Sequence, residues 1–344
     1  MKILFVLNPK SGTGRKKLIP HIIADNIDTS RFSYEISYTK YQGHATELAA
    51  EAAKNGVDIV VAVGGDGTVN EVGCGLINTD TAMGILPCGS GNGLARHLGI
   101  PVDLRKAVKI LNDNVVHRLD YGLINDKPFF CTCGMGFDAF ISMKFAKSGK
   151  RGPVTYAEKI LTEWLKYKPQ TYVIEEEGNT QKREALLVSC ANASQYGNNA
   201  YIAPCATMSD GLMDVVIMEP FDVLDAPSIG IDMFNKTLDK NAKVKTFRTS
   251  KIKIRREHPG VVHYDGEPVM MGEEINISIV KAGINIVVNK SVKEEENCPN
   301  VIQSSLNDLS RNIQKIRKDF LSRRNDMLRR VRKNVTTLKD KNRR

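Results

Sequence analysis

Aromatic residues supply only 6% of this 344-residue chain, and there is a single tryptophan. Hydrophobic residues still reach 42%, so the core has to be assembled mainly from aliphatic side chains. No window approaches the ~20 consecutive apolar residues needed to cross a bilayer. The opening MKILFVLNPKSG lacks the apolar stretch and small-residue cleavage site of a secretory signal. The seven cysteines are scattered and odd in number, which implies no disulfide framework. Cys131 and Cys133 form a near pair, but no second Cys/His pair stands at zinc spacing. Buried thiols in a reducing cytosol are the expectation. Ordinary glycine and proline contents exclude collagen and wholesale disorder, and the length predicts two domains.

Positive charge is in excess, at +10, but it is unevenly spread. Residues 301–344 carry 14 Lys and Arg against 4 Asp and Glu, which leaves residues 1–300 with 35 of each sign. The basicity therefore belongs to a C-terminal extension, and a neutral body argues against a nucleic-acid partner.

Strands and helices alternate through the first half. Lys2–Leu7, Ser33–Lys40, Val57–Val63 and Met83–Leu86 read as strands. Helical stretches at Lys16–Ala24, Ala45–Lys54, Val69–Ile77, Leu94–Leu98 and Asp103–Leu111 fall between or after them. This order predicts a parallel, doubly wound α/β sheet. The second half is rich in strands: Leu119–Ile124, Pro128–Cys133, Thr171–Glu177, Lys182–Ala191, Leu212–Met218, Val244–Arg255, Val261–Tyr264, Ile275–Val280 and Ile284–Val288. A helical pair, Phe137–Lys147 and Val154–Lys166, interrupts them, and Glu177-Gly178-Asn179-Thr180 has the composition of a hairpin turn. An antiparallel β-sandwich is the expectation for this half. The predicted division is 1–122, 123–290 and a basic extension over 291–344.

Three glycine-rich segments follow predicted parallel strands: Asn8-Pro9-Lys10-Ser11-Gly12, Gly64-Gly65-Asp66-Gly67-Thr68 and Pro87-Cys88-Gly89-Ser90-Gly91-Asn92-Gly93. Such loops let backbone N–H groups approach phosphate oxygens, and a helix that follows offers its positive end. All three should meet at the carboxyl edge of the sheet, where open α/β sheets bind ligands. Asp66 repels a phosphate unless a divalent cation or a proton lies between them. Neither the dinucleotide fingerprint nor the standard P-loop occurs.

In this order and spacing, NPKSG, GGDGTVNEV and PCGSGNGLARHLG resemble the diacylglycerol kinase catalytic domain superfamily, which includes bacterial soluble lipid kinases, sphingosine kinases and ceramide kinases. CGMGFDAFIS (133–142), SDGLMDVVIM (209–218) and HYDGEPV (263–269) extend the resemblance over roughly residues 1–290. It implies an N-terminal domain like that of phosphofructokinase and NAD kinase, a C-terminal β-sandwich, and a cleft between them. It also implies phosphorylation of a lipid hydroxyl with ATP and Mg2+, at the cytoplasmic membrane surface.

By motif, Asn8, Gly65, Gly67, Thr68, Gly89, Ser90, Gly91 and Asn92 are implied to hold ATP, with Glu71 orienting the glycine loop. Asp265 and Glu267 occupy the Asp-Gly-Glu motif, and Asp265 or Asp66 is the implied general base. Asp66 also bridges to metal, Asp210 helps hold a structural magnesium, and Asp138 meets the substrate head group. His97 and His263 are expected to be structural. Lys144, Lys147, Lys150 and Arg151 form a basic run near the implied cleft mouth. Asn92-Gly93 departs from the Asn-Asp of typical bacterial diacylglycerol kinases, so a sphingoid base or ceramide stands beside diacylglycerol as acceptor. A soluble-substrate kinase like NAD kinase and a non-catalytic membrane regulator are the alternatives from other classes.

In the extension, Ile302, Leu306, Leu309, Ile313, Ile316 and Phe320 share one helical stripe amid Lys and Arg. That pattern predicts an interfacial helix on anionic lipid, with a homodimer seam or a partly disordered basic tail as the alternatives.

Overall fold

The computed structural model describes residues 1–10, 18–148, 163–164, 166–222 and 224–291. The basic extension, most of the second predicted helix of the 137–166 pair and part of the first glycine segment therefore lie outside the described residues. The N-terminal half runs β1 (Lys2–Leu7), α1 (Ile19–Asn26), β2 (Ser33–Tyr38), α2 (His44–Lys54), β3 (Ile59–Gly64), α3 (Asp66–Leu76), β4 (Ala82–Pro87), α4 (Gly93–His97) and α5 (Leu104–Asp113). The strand order β2-β1-β3-β4 is parallel throughout, as the alternating pattern predicts. Every residue of β3 and β4 is buried, which accounts for their unbroken apolar runs. In α5, Asp103 caps the helix by accepting from the Lys106 amide, so the helix proper begins one residue later than its sequence suggests.

The second half contains β5 (Val116–Ile124), β6 (Lys127–Phe129), β7 (Thr132–Gly136), α6 (Phe137–Ser148), β8 (Gln170–Glu176), β9 (Asn179–Ala185), β10 (Leu187–Ala191), β11 (Gln195–Gly197), β12 (Ala200–Tyr201) and β13 (Met213–Met218). It continues with α7 (Ala226–Asn235), β14 (Val244–Thr249), β15 (Lys251–Arg256), β16 (Gly260–Tyr264), β17 (Glu267–Met271) and β18 (Glu274–Val287). One antiparallel sheet has the order β14-β13-β10-β7-β16-β17. The facing layer, containing β8, β9, β15 and β18, continues into the N-terminal sheet. A core of Cys133, Val188, Val215, Ile254, Val262 and Ile277 lies between these layers, which makes the expected sandwich.

Several expected strands are divided or joined differently. Lys182–Ala191 breaks at Leu186 because β9 and β10 belong to different sheets, and Val244–Arg255 breaks at Ser250 for the same reason. Ile275–Val280 and Ile284–Val288 are one strand, β18, with an irregularity between Val280 and Ile284. The distal part of β18 pairs in parallel with β4 through Ile286 and Met83. One sheet thus runs through both halves, and the predicted boundary at 122/123 falls within β5. The Glu177-Gly178 hairpin turn is present, with φ of 46° and 85°, values typical of a two-residue primed turn.

Candidate active site

Residues 8–10 and the two later glycine segments meet at the carboxyl ends of β1, β3 and β4, and side chains lock them together. Asn8 donates from Nδ2 to Thr68 Oγ1 at 3.2 Å and accepts the Lys10 amide on Oδ1. Asp66, at the start of α3, reaches across to the second loop. Its Oδ2 accepts the Asn92 amide at 2.9 Å and its Oδ1 the Gly93 amide at 2.6 Å. Asn92 then closes its own loop, accepting the Gly89 amide and donating to the Gly89 carbonyl. It does so with φ of 53°, a left-handed conformation that asparagine tolerates better than most residues.

These contacts revise the reason for the glycines. A Cβ on Gly89 would stand 2.5 Å from Gly65 Cα, and one on Gly91 would stand 2.8 Å from Asp66 Oδ2. Gly65, Gly89 and Gly91 are therefore needed first for packing loop on loop. Gly67 is different: a Cβ there meets nothing within 4 Å, and the residue is exposed, as is Ser90. Among the residues implied to hold ATP, these two face outward, while Thr68 and Asn92 are buried. Glu71 does not orient the loop. Its carboxylate accepts the Ala45 amide in the first turn of α2 at 3.2 Å.

The Asp-Gly-Glu turn approaches from the sandwich. Asp265 adopts φ of 47°, and its carboxylate takes four donors. Oδ1 accepts the Cys131 and Thr132 amides at 2.7 and 3.1 Å, and Oδ2 accepts the Phe130 amide at 2.8 Å and Asn70 Nδ2 at 2.9 Å. Burial pushes its carboxyl above the usual range against the pull of these donors. Burial raises Asp66 too, with a smaller push from the charge of Asp265 and an opposing pull from the Gly93 and Asn92 amides. With two donors on each oxygen, Asp265 has no free lone pair, which weakens its expected role as the proton acceptor. Glu267 is exposed, and its Oε1 accepts from Gln42 Nε2 at 3.3 Å. It is the carboxylate of the turn that remains open to an incoming hydroxyl.

Asn70, not singled out in the sequence, is the side-chain link between α3 and the turn. It lies four residues after Asp66, on the same helical face. A second buried acid, Asp120, was likewise missed. It accepts the Gly211 amide at 2.6 Å and the Ala282 amide at 2.7 Å. Asp138 is tied by Tyr196 and by His263, each at 3.0 Å from its Oδ2. The carboxylate partner of His263 cannot be read from local spacing, because the pairing spans 125 residues. His97 is structural as expected, with Nδ1 facing the hydroxyl and amide of Ser194. Lys144 pairs with Glu163 at 3.3 Å. Cys74, Cys88, Cys131, Cys133 and Cys190 are free thiols.

Mg2+ fits one of the two expected positions. At Asp66, each carboxylate oxygen keeps a lone pair beyond its single amide, and a cation there would relieve the repulsion from Asp265. Mg2+ commonly takes one or two carboxylates together with substrate phosphates. Asp210 does not fit. Its Oδ2 lies 3.5 Å from Arg248 Nη1, and its Oδ1 accepts the Leu212 amide. The same guanidinium donates to Asp214 Oδ1 at 3.2 Å and to the Cys205 carbonyl. The Asp210 carboxylate is thus already engaged by Arg248 and the Leu212 amide.

Glycine loops at the carboxyl edge of a parallel sheet, joined through Asp265 to an antiparallel sandwich, define a two-domain kinase architecture. Residues 2–124 match the diacylglycerol kinase catalytic domain, and residues 132–288 match the YegS C-terminal NAD kinase beta sandwich-like domain. The chain belongs to this diacylglycerol kinase-like family, in its YegS-like lipid kinase branch. A YegS-like lipid kinase of Enterobacter sp. is 29% identical over 289 residues, covering 82% of this chain and 94% of the relative. Its counterpart in Chromohalobacter salexigens is 30% identical over 232 residues, covering 66% and 75%. A solved Bacillus anthracis structure described as a diacylglycerol kinase is 25% identical, covers 85% of this chain and 98% of its own, and superposes with a TM-score of 0.71. Among the described residues, no helix is long and apolar enough to cross a membrane.

Proposed function

We propose that the chain transfers the γ-phosphoryl group of ATP to a hydroxyl of a membrane lipid, with diacylglycerol as the acceptor. The observation that carries this reading is the meeting of Asn8 and the two later glycine loops with the Asp-Gly-Glu turn at one edge of the sheet. Gly67, Ser90 and the N-terminus of α3 present the donors that face outward and can receive phosphate oxygens. Asp66 would hold Mg2+, which supplies charge neutralisation for the transferring group. Asp66 and Asp265 fix the loops on either side, and Glu267 accepts the proton of the lipid hydroxyl. Positioning and charge stabilisation dominate phosphoryl transfer, so a rigidly held, fully bonded Asp265 and an Asp66 with lone pairs left for a cation suit this division of work.

A sphingoid base or ceramide is the second reading, favoured by the buried Asp138 carboxylate, which would attract an ammonium or hydroxyl donor. Family membership among lipid kinases leaves a soluble-substrate kinase without support, and the intact Asp66 and Asp265 speak against a non-catalytic regulator. The apolar stripe and cations of residues 301–344 support docking on anionic lipid at the cytoplasmic face, with a homodimer seam as the competing use. The test is transfer of label from [γ-32P]ATP to lipids in mixed micelles. Product on diacylglycerol is expected, and product confined to a sphingoid base or ceramide would favour the second reading.

A further inference from the structure

The helix α7, inserted between β13 and β14, is apolar on two faces. Ile229 is buried in a cluster with Phe137, Val216 and Leu238, and Met233 packs against the same cluster. That face anchors the helix to the sandwich. The opposite face is open. Leu224, Ile231 and Phe234 are 91, 59 and 62% exposed, and Pro227 between them is exposed as well. At about 100° per residue these four side chains fall within an arc of roughly 80°, on the far side of the helix from Ile229. A helix that is apolar on both sides is ordinarily buried on both, and a contiguous exposed apolar patch marks a surface made for contact.

The order of residues along the stripe says what fits it. The sequence is mirrored about Ile229. Pro227 and Ile231 lie two residues to either side, and Leu224 and Phe234 lie five. Ser228 and Gly230 flank the midpoint, and a Cβ on Gly230 would meet nothing within 4 Å. Charge is opposed in the same way. Glu219, Asp222 and Asp225 stand at the N-terminal end, whereas Lys236, Lys240 and Lys243 outnumber Asp239 at the other. The Lys236 ammonium is fixed there over the Tyr201 ring, at 4.6 Å. The one acid within the second half of the helix, Asp232, lies off the stripe and accepts from Thr237 and Asn241.

We propose that α7 pairs antiparallel with α7 of a second copy of this chain, crossing at Ile229 across a twofold axis. The mirrored order then sets Leu224 opposite Phe234 and Pro227 opposite Ile231, and the small residues at the crossing let the helices approach. The acidic end of each helix meets the basic end of the other, and the two macrodipoles are opposed. Such self-complementarity is what an isologous contact requires. An anionic lipid surface suits the stripe less well, because it would meet the acidic end as well as the basic one.

Sedimentation equilibrium of the full chain tests the pairing. One helix pair is a small interface, so a reversible dimer with a dissociation constant on the order of micromolar is expected. Ile231→Glu changes an exposed side chain and should leave the melting temperature of the monomer in place while raising that constant at least about tenfold. Asp222→Lys and Lys236→Glu should each self-associate less than the wild type. An equimolar mixture of those two variants should recover the dimer, because each altered charge then faces its opposite. A wild type that is monomeric at every concentration would overturn the proposal. So would undiminished association in Ile231→Glu, the result expected of a seam within residues 301–344, or a mixture no more associated than its components. A monomeric wild type whose binding to phosphatidylcholine vesicles falls in Ile231→Glu would assign the stripe to a lipid surface instead.

Discussion

Asn70 Nδ2 donates to Asp265 Oδ2 at 2.9 Å across 195 residues of sequence. This bond joins the helix after the Gly-Gly-Asp-Gly loop to the Asp-Gly-Glu turn of the sandwich. The other three donors to Asp265 are backbone amides of residues 130–132, so Asn70 is the contact through which α3 senses the turn. Asn70→Ala should cost about 1–3 kcal/mol by leaving a buried carboxylate one donor short. Turnover should fall further than stability does, because the turn that carries Glu267 loses its register with the glycine loops. Chemical denaturation together with kcat measurement checks this; unchanged kcat in a destabilised variant would limit Asn70 to a structural role.

The glycines separate packing from ligand approach. Gly89→Ala drives a Cβ against Gly65 Cα at 2.5 Å, whereas Gly67→Ala meets no protein atom within 4 Å. The first should lower the melting temperature. The second should leave it unchanged and weaken ATP binding, because its methyl group occupies the space offered to phosphate. Calorimetric titration with a non-hydrolysable ATP analogue reads the difference, and full affinity in Gly67→Ala would place the phosphates elsewhere.

Arg248 bridges the Asp210 and Asp214 carboxylates, the first of which was implied to hold a structural cation. EDTA should not shift the melting temperature of the wild type. Arg248→Met should lose about 1–2 kcal/mol, less than a fully buried pair, because the guanidinium is 39% exposed. Burial already raises the Asp214 carboxyl, and Arg248 opposes that rise. A raised carboxyl contributes its stability below the usual carboxylate pKa and loses it as pH climbs through the raised value. Removing Arg248 raises Asp214 further, so the deficit of the variant should be larger at pH 7 than at pH 4. Denaturation curves at the two pH values test the sign.

Removal of residues 301–344 should leave ATP binding unchanged while weakening sedimentation with phosphatidylserine-containing vesicles. The vesicle binding that remains should be less sensitive to salt, since roughly 1 kcal/mol is lost with each basic residue that touched the surface. Vesicle binding equal to that of the full chain would remove the membrane role of the extension. Loss of a dimer by light scattering would assign it to self-association.

Much of the N-terminal fold is legible because buried parallel strands and glycine loops are local signals. Val57–Val63 and the Gly-Gly-Asp-Gly-Thr run identify β3 and its turn without any distant contact. The sandwich is less legible where a strand changes sheet. In Lys182–Ala191 the exposed, charged residues of β9 give way at Leu186 to the buried run of β10, a change that a reading as one continuous strand passes over. The site shows the same division. Asp66 and Asp265 stand out by motif, but their bonding does not, since the Asn92, Gly93 and Phe130 to Thr132 amides reach them only through the folded chain. Asn70 had a local signal, its position four residues after Asp66. The pairing of His263 with Asp138 had none.

The transfer of labelled γ-phosphate from ATP to lipid, compared between the wild type and Glu267→Gln, tests the central claim most directly. The wild type should place label on the hydroxyl of diacylglycerol in mixed micelles. Glu267→Gln should bind ATP normally and lose about 10²–10⁴ in turnover, the usual worth of a general base. Label released only as inorganic phosphate, with no lipid in the panel modified, would contradict the account, and wild-type turnover in Glu267→Gln would remove that residue as the proton acceptor.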